Sequence, residues 1–132
     1  MKEAMMRGLL LLILFFPSFA VAGQNQYICE VFGEYSVTEA GIFNPIDSPF
    51  VGKSFTVDRD TGSVIGQPFA TDKQGKANLV VHRGDKTGRF KLISTFTNPD
   101  IIQILLIDEP VDGKVKPFWG TDSRFVYTGL CE

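Results

Sequence analysis

From Tyr27 to Val37 the chain alternates. Tyr27, Cys29, Val31, Gly33, Tyr35 and Val37 form a mostly apolar face, and Ile28, Glu30, Phe32, Glu34 and Ser36 a mixed one. A period of two predicts a strand. Phe55 and Val57 alternate with Thr56 and Asp58, Asp60-Thr61-Gly62 offers a turn, and Val64-Ile65 resumes, which predicts a hairpin with Gly62 at positive φ. Further strands are expected at 77–83, 90–97, 101–107, 114–119 and 124–131, separated by a tip at 84–88 and turns at 98–100 and 110–113. No stretch of ten residues carries the 3.6-residue helical period. About seven or eight short strands at 8–12-residue spacing predict an all-β fold, a small antiparallel barrel or a barrel-like sandwich. The longest irregular stretch is 39–52, where Pro45 and Pro49 interrupt any ladder.

One segment departs from alternation. Ile101-Ile102-Gln103-Ile104-Leu105-Leu106-Ile107 is apolar on both faces, whereas a strand with one wet face should alternate. Either the 39–52 loop or a second sheet covers its outer side, or that side meets a partner or a second copy of the chain.

The start of the chain is a different kind of segment. Lys2 and Arg7 precede the apolar run Leu9 to Phe16, and Ala20-Val21-Ala22 follows. A positive n-region, a short apolar core and a small-x-small site predict a signal peptide over 1–22, cut between Ala22 and Gly23. The run is too short to span a bilayer, which takes about 20 apolar residues. Residues 23–132 then form one β-domain, periplasmic or secreted, with no membrane span after cleavage. With 11 basic and 14 acidic residues, that domain has no cationic surplus for phosphates, so nucleic acid is not an expected partner.

Cys29 and Cys131 are the two cysteines. An oxidising compartment favours a structural disulfide between them. They stand near the start of the first strand and at the end of the last, so an antiparallel first–last pairing would set them side by side and close the sheet. The inward set of the last strand would be Phe125, Tyr127, Gly129 and Cys131.

Candidate chemistry is thin. Gly52-Lys53-Ser54 lacks the upstream glycine and following helix of a phosphate loop. Asp58-Arg59-Asp60-Thr61-Gly62 starts like a calcium loop, but its glycine comes early and Phe69 stands where a bidentate glutamate belongs. Arg83-Gly84-Asp85 and the sole histidine, His82, read as turn and strand chemistry. Two Cys and one His do not make a zinc site, and no metal or cofactor is expected. No catalytic residue is predicted. A small carboxylate hydrolase built on Asp58, Asp60 and Asp85 is the enzymatic alternative.

The stretches FTVDRDTGSVIG (55–66), KPF (116–118) and VYTGLCE (126–132), with a leader and an early Cys29, resemble a group of small exported proteobacterial β-proteins. That resemblance implies a periplasmic or secreted location and carries no catalytic residues. A second likeness, of architecture alone, is to periplasmic lysozyme inhibitors, small β-barrels pinned by a terminal disulfide; it implies an enzyme inhibitor as the alternative role. The leading expectation is a non-catalytic binding protein. Its ligand is a protein partner or second copy, met through 101–107 (Ile102, Ile104 and Leu106) or through the 39–52 loop, or a small apolar molecule near Tyr35, Phe90, Phe96, Trp119 and Tyr127.

Overall fold

The computed structural model describes residues 25–71, 76–97, 100–109, 113 and 115–132. The leader expected over 1–22 lies outside them, as do most of the turns expected at 98–100 and 110–113. The described residues form nine strands and no helix: β1 (Gln26–Val37), β2 (Phe43–Pro45), β3 (Ser54–Asp58), β4 (Val64–Ile65), β5 (Lys76–His82), β6 (Phe90–Thr97), β7 (Asp100–Ile107), β8 (Lys116–Thr121) and β9 (Phe125–Cys131). All pairings are antiparallel, in the order β4-β3-β1-β9-β8-β7-β6-β5, with β2 also on β1. The single sheet curls into a half-barrel. First and last strands pair as expected.

The disulfide sits inside that pairing. Cys29 and Cys131 are ladder partners with Cα atoms 3.9 Å apart. The next residues out, Ile28 and Glu132, exchange both backbone hydrogen bonds, at 3.1 and 2.8 Å. The cysteines therefore occupy a non-hydrogen-bonded position, where side chains approach most closely.

β1 is long because one of its edges serves two partners while the other lies along β9. Gln26 to Glu30 pair with β3, and Tyr35 to Val37 pair with β2. Between them the β1–β9 register shifts at Val31/Gly33. This bulge inserts one residue and reverses the alternation. The expected inward set Tyr27, Cys29, Val31, Gly33, Tyr35, Val37 is therefore corrected: Tyr27, Cys29 and Val31 are buried, then Glu34. Tyr35 shares the outer face with its ladder partner Val126.

β4 and β5, the ends of the sheet, share no ladder; at one end of the seam side chains join the β3–β4 turn to the residues just after β5. Arg59 Nε donates to the Arg83 carbonyl at 3.1 Å, and its other end donates to the Gly84 carbonyl. Arg83 in turn pairs with Asp60 and donates to Asn25 Oδ1 at 2.8 Å. Gly62 takes φ +72° in the β3–β4 turn, as expected. It also lies so close to β6 that a Cβ would stand 2.6 Å from Leu92 Cδ1.

The concave side is filled. Phe69, from the irregular segment after β4, is buried against Phe55, Phe118 and Tyr127, with ring centroids 5.4, 6.4 and 5.4 Å away, all edge-on. Gly120 makes room for it: a Cβ there would stand 2.5 Å from Phe69 Cζ. Tyr27, Phe90, Leu105 and Ile107 extend the core. The void bounded by Phe69, Leu92, Ser94, Gln103 and Leu105 has no room for a water molecule.

Candidate functional site: the outer face of the sheet

Residues 39–52 do not cross β7. Phe43–Pro45 are held on the edge of β1 as β2, and Gly52 and Lys53 are held on Val31, at 2.8 and 3.0 Å. The expectation that this loop covers 101–107 is therefore corrected, and so is that of a second sheet, because every strand among the described residues belongs to the one sheet. The inner side chains of β7 are Gln103, Leu105 and Ile107; over the outer ones, Ile102, Ile104 and Leu106, the described residues place no second layer. Ile102 is 48% exposed, and Ile104 and Leu106 are half-buried by their neighbours on the sheet.

Register extends this surface across the sheet. Leu79, Ile93, Ile104, Thr121, Val126 and Tyr35 stand side by side on β5, β6, β7, β8, β9 and β1. One step along, Lys91, Leu106, Trp119 and Thr128 form a second row. Leu79 is 60% and Trp119 42% exposed. Isolated exposed apolar residues are ordinary, but contiguous apolar rows mark contact surfaces.

The five aromatic residues expected near a small apolar ligand are not brought together. Phe90, Phe96 and Tyr127 are buried within the half-barrel. Tyr35 lies outside, edge-on to Phe43 at 6.5 Å, and Trp119 is in the outer row. Ile102, Ile104, Leu106 and Trp119 do share one face.

The carboxylates of the enzymatic alternative serve turns. Asp58 Oδ1 accepts from the Asp60 and Thr61 amides at 2.9 and 2.8 Å. Those backbone bonds, Thr61's first, hold its carboxyl below the usual range. Asp60 pairs with Arg83, and Asp85 Oδ1 accepts from the Thr87 amide at 2.7 Å. His82 Nδ1 accepts from the Gly84 amide at 3.0 Å. Among the described residues no three His, Cys, Asp or Glu are placed to hold a metal ion.

Two polar clusters escaped the sequence reading. At one end of the half-barrel the Tyr27 phenol donates to Glu109, whose carboxylate also meets Lys116 at 3.3 Å and Arg59 at 3.9 Å. Both cations stand over the Tyr27 ring, Arg59 at 5.0 Å and Lys116 at 5.3 Å. Burial first, then the bond to Glu109, pushes this phenol well above its ordinary value. Towards the other end the Tyr127 phenol donates to Asp122 Oδ2 at 3.2 Å and also feels Glu34. Burial, then the Asp122 and Glu34 charges, push it up as well. Glu34 is 5% exposed, and its Oε2 has no hydrogen-bond partner among the described residues. The bulge was the missing signal for Glu34. The Glu109 cluster joins strands too distant in sequence for spacing to pair them.

What the geometry defines is a class: a disulfide-pinned all-β half-barrel, filled inside and carrying exposed apolar side chains among polar ones outside. No family model, curated protein or solved structure matches the chain.

Proposed function

We propose that this is an exported, non-catalytic binding protein that docks a protein partner on the outer face of its sheet. The observation that carries the reading is the uncovered apolar surface of Ile102, Ile104, Leu106 and Trp119, continued by Leu79, Ile93 and Val126. Export is supported by the leader pattern and by the disulfide, which persists outside the cytoplasm. A protein is favoured over a small apolar ligand because the five candidate aromatics are dispersed and the void beside Phe69 admits no water.

The test compares the wild type with an Ile104→Thr/Leu106→Thr/Trp119→Ser variant as bait in periplasmic extract, with mass spectrometry of what each retains. The reading expects a protein held by the wild type and lost by the variant. A second copy as partner would show as a dimer in size-exclusion chromatography with light scattering, reduced to monomer by the same substitutions. Identical recovery on both baits, with both proteins monomeric, would overturn it.

A further inference from the structure

The outer face changes character where β3, β1 and β9 meet. A groove of about 340 Å³ lies there, floored by Ile28, Phe32, Val115 and Leu130, with Glu30 and Glu132 beside them. Ile28 is 58% and Phe32 53% exposed. Ile28 stands across from Glu132, and Glu30 across from Leu130. The four make a two-by-two block with the carboxylates on one diagonal, a separation of roughly 7–8 Å between their stems. Like charges this close on neighbouring strands repel. Among the described residues neither carboxylate takes part in an ion pair. Ser54, the ladder partner of Glu30, also lines the groove.

We propose that this groove takes a cationic side chain, an arginine, presented beside an apolar residue on an extended segment of the docked protein. The inference names the partner's chemistry and rests on the docking reading above. A long alkyl stem lies on Ile28 and Leu130 while its charged head stays at the polar rim. A guanidinium has enough donors to serve both carboxylates and a flat face to place over Phe32. Its arrival converts a repulsive pair into two attractive ones.

The probe is a synthetic pentapeptide, acetyl-Ala-Leu-Arg-Leu-Ala-amide, titrated into the 15N-labelled disulfide-bonded protein. Its control carries citrulline, which keeps the shape of arginine and removes the charge. The expected result is that the arginine peptide shifts the amide signals of Ile28, Glu30, Leu130 and Glu132, and that citrulline binds about tenfold more weakly. Glu30→Gln/Glu132→Gln, at exposed positions and checked for an unchanged spectrum elsewhere, lowers the arginine peptide to the citrulline level. Equal affinity of the two peptides, or no shift in the groove at millimolar peptide, overturns the proposal. Shifts confined to Ile104 and Trp119 overturn the groove while leaving the docking face standing. The docking reading itself falls only with its own outer-face variant.

Discussion

Replacing Phe69 tests whether a single side chain from an irregular segment holds the half-barrel shut. It touches three aromatic rings edge-on, at 5.4, 6.4 and 5.4 Å, and is 2% exposed. Phe→Ala at a buried site costs about 3–5 kcal/mol, and edge-on ring pairs contribute roughly 0.5–1.5 kcal/mol each beyond area burial. Phe69 comes from a loop, and partial collapse of that loop offsets some of the loss, so about 3–4 kcal/mol is expected for Phe69→Ala. Against a total stability on the order of 5–15 kcal/mol, that is a large share. At roughly 4–8 °C per kcal/mol, the melting temperature should fall by about 12 °C or more. The assay is urea unfolding with the disulfide intact, followed by near-ultraviolet circular dichroism, which reports the packed rings. Phe69→Leu should lose less than half as much. The alanine variant should also gain an apolar void that takes up benzene, as engineered apolar cavities do. A loss under about 1 kcal/mol, with the near-ultraviolet signal kept, would refute the view that Phe69 plugs the concave side.

Three further outcomes follow from other parts of the molecule. Reducing Cys29–Cys131, which closes a span of 102 residues, should lower stability by roughly 4–5 kcal/mol, read as the shift in urea midpoint with reductant; an unchanged midpoint would contradict the chain-entropy account. The phenols of Tyr27 and Tyr127 are held above the unfolded value near 10, so stability is complete below that pH and declines as pH rises past it. Absorbance at 295 nm should therefore show both rings ionising together with unfolding, and ionisation near pH 10 in the folded protein would count against their burial. Glu34→Gln should leave stability unchanged or raise it by up to about 1–2 kcal/mol, because it replaces an acceptor lacking a donor with a group that can donate towards Asp122 or Tyr127. A clear loss in the urea midpoint would mean that Oε2 already receives a hydrogen bond.

Much of the topology could be read from residue spacing. Cys29 and Cys131 at opposite ends of a chain with a two-residue period called for first–last pairing, and the β1–β9 ladder supplies it. Tyr127, Gly129 and Cys131 face inward, as alternation requires. The reading failed where one residue breaks the count. The Val31/Gly33 bulge turns Glu34 in and Tyr35 out; the lone Gly33 within the strand is its one sign, and strict alternation runs past it. Phe69 was invisible for another reason: it lies outside any strand, so no periodicity assigns it a face. Residue type alone groups Trp119 with the other aromatics, whereas its register with Leu106 and Thr128 fixes it on the outer face. The double apolarity of 101–107 was plain, but whether something covers it depends on where residues 39–52 settle, which is a matter of tertiary reach.

The central place of β1 sets a schedule for assembly. Gln26–Val37 leads the described chain, yet one of its two flanking ladders is with Phe125–Cys131. A polypeptide delivered amino end first must hold that strand half-paired until Phe125–Cys131 has emerged. Non-local pairing of this kind is slow. Until Phe125–Cys131 arrives, the edge of β1 that it covers stays open, and that is when the chain is most exposed to pairing with another.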